Sequence, residues 1–230
     1  RIAFIKSTVL PAWGVRPNTK DLIETMHLKT LKKLNAHFSI YPYLLGNKPS
    51  IGDFGMIAPL YGHLGRDPVP LALMQVNAPR LFRWVERMNR SEPDIGEFAD
   101  KSTNYLANDE IPETLIDVLK HFAIDFIPES VAAYDCVSHW LEANKDLPAG
   151  AVAEREVGSC TFEIDGIEIN AVAQPFRFYL LHRLHKEFDS LSEVDREDVR
   201  QLLKECHMDE VLNLRLSREM GRANNLEVWL

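Results

Sequence analysis

The 230-residue sequence is poor in cysteine, with only Cys136, Cys160 and Cys206. Their odd number and wide spacing argue against a disulfide scaffold and against a zinc knuckle. Such cysteine usage is typical of proteins kept in a reducing compartment, so we expect a cytoplasmic protein. Cys136 falls on an apolar helical stripe, where a buried and inert thiol is expected.

The sequence also lacks an excess of positive charge and any long hydrophobic run. Its formal net charge is −8, with acidic and basic residues mixed along the chain. No basic face therefore suggests nucleic acid, and no polybasic run suggests an anionic membrane. Apolar runs such as 122–127 are too short to span a bilayer. No signal peptide is recognisable, and a content of 46% hydrophobic residues predicts one or two globular domains.

Common catalytic motifs are missing as well. The sequence has no Cys-X-X-Cys, no glycine-rich phosphate loop, no Gly-X-Ser-X-Gly and no His-Glu-X-X-His. His182, His185 and Asp189 have a spacing compatible with a weak metal site, but a second Cys/His pair is absent. We therefore predict no metal and assign no catalytic residue.

What the sequence does contain is a strong helix start at Ser50. Ser50 and Asp53 have the spacing of a structural N-terminal capping box, in which each side chain accepts from the other residue's N–H. Residues 54–64 follow as an almost wholly apolar helix, and such a helix is expected to be buried. Close packing of neighbouring helices is expected at its glycines, which are Gly52, Gly55 and Gly62.

Helices are predicted on both sides of this segment. Asn18 is expected to cap a helix that runs to Phe38, with His27 on its core-facing stripe. Residues 66–70 are expected to form a non-helical corner, because each proline disfavours helical geometry in the residue before it. An amphipathic helix is expected over 80–89, with its arginines on a solvated face.

The order of these motifs resembles the helical C-terminal domain of glutathione transferases. The family's Tyr-Leu-X-Gly pattern matches Tyr43–Gly46, its Ser/Thr-Ile-Ala-Asp cap matches Ser50–Asp53, and its next helix matches 78–88. The resemblance covers about residues 15–90, and residues 1–13 would match the end of the family's first helix in this domain. Gly52 stands where the family usually has alanine.

The second half has no counterpart in an ordinary glutathione transferase. The loop-rich residues 91–111 are the best candidate for a domain boundary. A helix is expected to begin at Pro112, and Pro128 is expected to kink or end it. Alternating apolar and polar residues around Asp165-Gly166 predict a β-hairpin over 160–172. Ser192 is expected to cap a later helix, and the apolar residues 228–230 are expected to dock on the body.

The predicted fold is therefore mainly α. A glutathione transferase C-terminal-like helical bundle is expected over 1–95. A helical extension with the hairpin is expected over 96–230, packed on the bundle, and it loosely resembles an extension of some bacterial glutathione transferase-like proteins. The first residue, Arg1, lies inside a helical pattern, so we expect a piece of a longer protein that lacks the family's N-terminal thioredoxin-like domain.

The resemblance implies a division of labour in the full-length protein. Glutathione, the co-substrate, would be bound and activated by the thioredoxin-like domain, while the helical domain would supply the wall of a pocket for a small hydrophobic electrophile. The candidate pocket residues are Phe4, Thr8, Trp13 and Tyr61. No residue matches a family catalytic position, and family members commonly form homodimers.

Two other hypotheses remain open. The first is a non-catalytic interaction module, because helical domains of this family also serve as assembly surfaces. A preceding thioredoxin-like half would favour the enzyme. A weaker third possibility is a binder of small molecules in a cleft between the bundle and the extension.

Overall fold

The computed structural model describes residues 2–230, so Arg1 lies outside the described residues. These residues form two compact units. We call residues 24–121 the central unit, and residues 2–23 together with 122–230 the terminal unit. The domain ranges expected from the sequence, 1–95 and 96–230, stay a prediction, because compactness alone does not show which segments fold independently.

The fold is mainly helical, as predicted. The helices are α1 (Ile2–Phe4, a π-helical Ile5–Val9, and Leu10–Ala12), α2 (Lys20–Phe38), α3 (Ile51–Pro59, continued by a π-helical Leu60–Leu64), α4 (Pro68–Asn77), α5 (Pro79–Met88), α6 (Glu113–Ala143), α7 (Phe176–Ser190) and α8 (Glu193–Glu205). The strands are β1 (Ser159–Ile164), β2 (Ile167–Val172), β3 (Met220–Ala223) and β4 (Leu226–Trp229). Short 3-10 turns occupy Gly96–Phe98, Ala107–Asp109 and Asp209–Leu212. In the part of the chain described, no helix has the length and apolar content to cross a bilayer.

Helices α2 and α5 contribute large side chains to the core of the central unit. Leu31, Leu34 and Phe38 of α2 are buried on the predicted stripe, and Phe38 stacks on Trp84 of α5 with ring centroids 4.9 Å apart. His27, on the same stripe, is half-buried, and its burial lowers its pKa. Burial thus favours the neutral form of this imidazole at the edge of the core.

The start of α2 differs from the prediction at Asn18. The helix begins at Lys20, and the carbonyl of Thr19 accepts from the Ile23 N–H. The Thr19 hydroxyl accepts from the Arg16 N–H at 2.9 Å and donates to the Gly14 carbonyl at 2.6 Å. The cap prediction was wrong by one residue, because Thr19 directly precedes the first helical residue, and its buried hydroxyl serves the turn before the helix.

The proline-rich corner was also wrong in its extent. Asp67 is extended, with φ −85° and ψ 130°, and α4 begins directly at Pro68. Proline is well suited to the first helical turn, where its missing N–H would have no partner in the helix. Only the residues before Pro68 form the corner.

The arginine face of α5 is solvated except at Arg87, where the prediction failed. Arg87 is only 3% exposed. It donates to Glu97 Oε2 at 3.2 Å and to the Pro42 carbonyl at 2.9 Å. Glu97 belongs to the loop-rich 91–111 segment, which therefore packs within the central unit.

The terminal unit contains the predicted hairpin of β1 and β2. Ile164 pairs with Ile167, and the turn between them places Asp165 and Gly166 at φ 51° and 77°. These left-handed angles are those that an Asp-Gly turn adopts. The buried face carries the expected alternate residues, among them Cys160, Ile164, Ile169 and Ala171.

A second hairpin, formed by β3 and β4, was not predicted. Asn224 and Asn225 form its turn, with φ 50° and 63°. Asparagine tolerates this conformation, so the Asn-Asn pair was a usable signal of a turn. Trp229 at its end is fully buried and stacks on Trp140 at 5.8 Å, which confirms the expected docking of the apolar end.

Two other segments of the terminal unit bear on the predictions. Helix α6 continues through Pro128 and does not end there. Helix α1 ends at Ala12, and Gly14, two residues further on, has a φ of 77°. A side chain at this position would place its Cβ 2.6 Å from Ile169 Cγ2, so glycine is needed where the chain passes β2.

Candidate functional site

The Asp53 carboxylate organises the start of α3. Asp53 is 0% exposed. Its Oδ1 accepts from the Leu44 N–H at 3.1 Å and from Trp84 Nε1 at 2.9 Å. Its Oδ2 accepts from the Ser50 N–H and from the Ser50 hydroxyl, each at 2.8 Å. Asp53 thus ties the helix start to the preceding loop and to α5.

The surroundings of Asp53 favour a structural role over a catalytic one. Four donors occupy the two carboxylate oxygens, so little acceptor capacity remains for proton transfer. The carboxylate is also closed off from solvent. Asp53 therefore fixes where α3 begins and which of its sides faces the core.

Helix α3 itself is not buried, contrary to the prediction. Over its α-helical and π-helical parts only Asp53 and Leu60 are buried. Ile51 is 83% exposed and Phe54 is 62% exposed. The apolar composition indicates a helix that can be covered on all sides, but the central unit covers only the side of Asp53 and Leu60. We call the exposed side the α3 outer face; it consists of Ile51, Phe54, Gly55, Ala58, Tyr61 and Gly62.

The glycines of α3 divide between the two sides. A Cβ at Gly52 would lie 3.0 Å from Leu44 Cδ1, so the chain packs closely there. Gly55 and Gly62 lie on the α3 outer face, and a Cβ at either would meet nothing within 4 Å. The close approach expected at these two glycines does not occur within the central unit.

Tyr61 is the candidate pocket residue of the central unit. It lies on the α3 outer face and is 39% exposed. Its hydroxyl accepts from Arg66 Nη1 at 3.3 Å, and the Arg66 guanidinium lies 5.5 Å from its ring centroid. The ring is thus held in place while part of it stays open to a ligand.

Phe4, Thr8 and Trp13 belong to the terminal unit, whereas Tyr61 belongs to the central unit. All three are exposed, and Phe4 is 60% exposed. Phe4 and Thr8 are four residues apart on α1, so they share a side of that helix, whereas Trp13 follows its last turn. The structure thus brings Phe4 and Thr8 together, and their role in a pocket stays a prediction.

The cysteines are poor candidates for a nucleophile. All three are free. Burial raises the pKa of the Cys136 and Cys160 thiols, and Cys206 is also buried. Because the thiolate is the reactive form, these surroundings disfavour covalent chemistry at Cys136 and Cys160.

The His182, His185 and Asp189 group has other partners. Asp189 is held by two hydrogen bonds from Arg215, at 2.8 and 2.9 Å, and these bonds lower its pKa. His185 Nε2 donates to the Val211 carbonyl at 2.7 Å, and burial lowers its pKa. Among residues 2–230, no group of three His, Cys, Asp or Glu side chains is placed to hold a metal ion.

Sequence reasoning identified Tyr61 but missed the rest of the α3 outer face as a candidate site. The signal was present in the apolar residues on all sides of the helix. Comparison with known proteins found that the family model "Glutathione S-transferase, C-terminal domain" matches residues 17–92. No curated protein and no solved structure matches the chain. The matched residues include Asp53, Trp84 and all of α2, so residues 17–92 form a C-terminal domain of the glutathione transferase superfamily.

Proposed function

We propose that this chain is the C-terminal portion of a cytoplasmic glutathione transferase-like protein. In the full-length protein a thioredoxin-like domain binds glutathione and activates its thiol. The helical domain supplies an apolar wall of the pocket that binds the electrophile. The observation that carries the proposal is the α3 outer face, an apolar helical surface without cover inside the central unit. Tyr61 in the central unit and, separately, Phe4, Thr8 and Trp13 in the terminal unit are the proposed electrophile contacts.

The first support is energetic. Ile51 and Phe54 are largely exposed, and covering a side chain of this size stabilises a protein by about 1.5–3 kcal/mol. Large contiguous apolar patches are uncommon on monomeric proteins and mark surfaces that bind something. The outer face is therefore a surface for another domain or for a hydrophobic molecule.

The second support comes from Gly55 and Gly62. Glycine in an exposed helix costs about 1 kcal/mol relative to alanine, and a Cβ at either glycine would meet nothing within 4 Å. Their small size is useful if another element packs against α3 at short distance. A covering domain thus explains residues that the central unit leaves unexplained.

The test uses the full-length protein, including its thioredoxin-like domain. We expect it to bind glutathione resin and to conjugate a chlorinated nitrobenzene, whereas residues 1–230 alone do neither. Phe54→Glu should reduce resin binding and turnover together, because it places a charge in the covered surface. Val76→Glu is the matched control, since Val76 is an exposed apolar residue on α4, and it should leave both unchanged.

A separate variant tests the electrophile contact. Tyr61→Ala should raise KM for the chlorinated nitrobenzene and leave KM for glutathione unchanged. Turnover by residues 1–230 alone would overturn the proposal, because the chain would then carry its own nucleophile. Absence of glutathione binding in the full-length protein would overturn it as well.

The alternative is a non-catalytic interaction module on the same helical fold. The exposed α3 outer face also suits this role, because a partner protein can cover it as readily as a domain of the same chain can. A thioredoxin-like half with a Tyr, Ser or Cys at its thiol-activating position favours the enzyme, and its absence favours the module. Because glutathione transferases commonly form dimers, a homodimer is part of the first proposal; nucleic acid and membrane partners are not.

A further inference from the structure

A groove of about 540 Å³ lies within the terminal unit, outside residues 17–92, which match the family model. One wall is the side of α6 between residues 122 and 129. The other wall is the start of α7, from residue 176 to residue 180. Gln174 and Met208 complete the lining. We call this the α6–α7 groove.

The lining of the α6–α7 groove is mostly apolar and aromatic. Phe122 and Phe126 lie on successive turns of α6. Phe176 and Leu180 lie on successive turns of α7 and are 45% and 48% exposed, so this wall keeps apolar surface open to a ligand. A volume of about 540 Å³ with such a lining is typical of sites for small molecules, which span about 300–1,000 Å³.

The charged residues of the groove already have partners. Arg177 Nη2 lies 2.6 Å from Glu129 Oε1, and its Nη1 donates to the hydroxyl of the buried Ser130 at 2.7 Å. The same guanidinium lies 5.4 Å from the ring centroid of Phe126. Asp125 is exposed and also has a partner. A charged ligand would therefore lose its hydration without gaining a free opposite charge, so the groove favours an uncharged one.

Gln174 supplies a neutral polar group to the same lining. It is half-buried and lies two residues before the start of α7. Its backbone carbonyl accepts from the Arg177 N–H, while its side-chain amide makes no hydrogen bond to the described residues. An amide can both donate and accept. Gln174 is therefore suited to a ligand hydroxyl, which needs both a donor and an acceptor.

We propose that the α6–α7 groove binds a small, uncharged aromatic molecule that carries a hydroxyl group. The aromatic ring packs between the phenylalanines of α6 and the apolar start of α7, and the hydroxyl bonds to the Gln174 amide. Three phenylalanine rings in one lining favour an aromatic ligand over an aliphatic one, because pairs of aromatic rings gain energy beyond the area they bury. The site does not depend on glutathione or on the proposed enzyme activity.

The test is a titration of the chain with 2-naphthol at neutral pH, where this probe is uncharged. Calorimetry gives the affinity, and the NMR shift of the Met208 methyl group reports whether the probe enters the α6–α7 groove. We expect saturable binding that moves the Met208 signal. The charged analogues 2-naphthoate and 2-naphthylmethylammonium should bind at least about tenfold more weakly, because each would have to give up hydration without a free opposite charge.

A matched pair of leucine variants locates the bound probe. Leu180→Ala should weaken 2-naphthol binding by about fivefold, because it removes apolar contact surface from the groove. Leu184→Ala is the control, since Leu184 is an exposed leucine one turn further along α7 and outside the lining; it should leave the affinity unchanged.

Four outcomes would each overturn the proposal. These are a titration that does not saturate at millimolar 2-naphthol, an unmoved Met208 signal, a charged analogue that binds as tightly, and an effect of Leu180→Ala no larger than that of Leu184→Ala. Since no readout involves glutathione, failure here leaves the proposed function untouched.

Discussion

Two helices of this protein begin with the same Ser-X-X-Asp spacing, yet the two starts differ in what surrounds them. At α8, Ser192 accepts from the Asp195 N–H at 3.2 Å and donates to Asp195 Oδ2 at 2.7 Å, and both side chains are exposed. At α3, Asp53 is buried and also receives hydrogen bonds from Leu44 and Trp84. A local motif thus becomes a tertiary junction only where partners from other segments reach it.

The difference lies in the cost of losing the carboxylate. At α8, water can replace Asp195, so only the local capping energy is at stake. At α3, the Leu44 N–H and the Trp84 Nε1 would stay buried without an acceptor. The same substitution should therefore have very different effects at the two positions.

Asp53→Ala carries the largest expected effect. It leaves several buried donors unpaired, so we expect a loss of about 4 kcal/mol in the free energy of unfolding. Urea denaturation followed by Trp84-sensitive near-UV circular dichroism would measure it. Asp195→Ala is the matched control; a loss at Asp53 no larger than at Asp195 would contradict the comparison.

Arg87 extends the comparison to a second residue type. Arg83 and Arg87 lie on one helix and both approach Glu97, at 4.0 and 3.2 Å, but only the Arg87 side chain is buried. Arg87→Met should cost about 2–3 kcal/mol in unfolding free energy, because Glu97 and the Pro42 carbonyl lose a charged donor. Arg83→Met should change it by less than about 0.5 kcal/mol. Equal losses in urea denaturation would show that burial is not the deciding factor.

Sequence reasoning succeeded where information is local. The Asp165-Gly166 turn, the Ser192 cap and the stripe of Leu31, Leu34 and Phe38 were all predicted, because spacing along the chain determines each of them. Even the missed β3–β4 hairpin had a local signal at Asn224. The mainly α fold follows from such signals.

Sequence reasoning failed where the outcome depends on which segments meet. The burial of Arg87 depends on Glu97, ten residues further on, in a segment read as a loop-rich link. The exposure of Phe54 depends on the absence of a neighbour over that side of α3 within the central unit. Apolar composition shows that a surface can be buried, whereas only the structure shows what covers it.

The smallest expected effect belongs to Ser192 at the exposed start of α8. Ser192→Ala removes the acceptor for the Asp195 N–H, which water can reach, so we expect a loss of about 1 kcal/mol in unfolding free energy. Ser192→Asp should recover most of it, since aspartate also accepts at a helix start. Hydrogen exchange of the Asp195 amide should quicken in Ser192→Ala and return toward normal in Ser192→Asp. A loss well above 2 kcal/mol would mean that the start of α8 also carries tertiary contacts, and the contrast with α3 would then be one of degree.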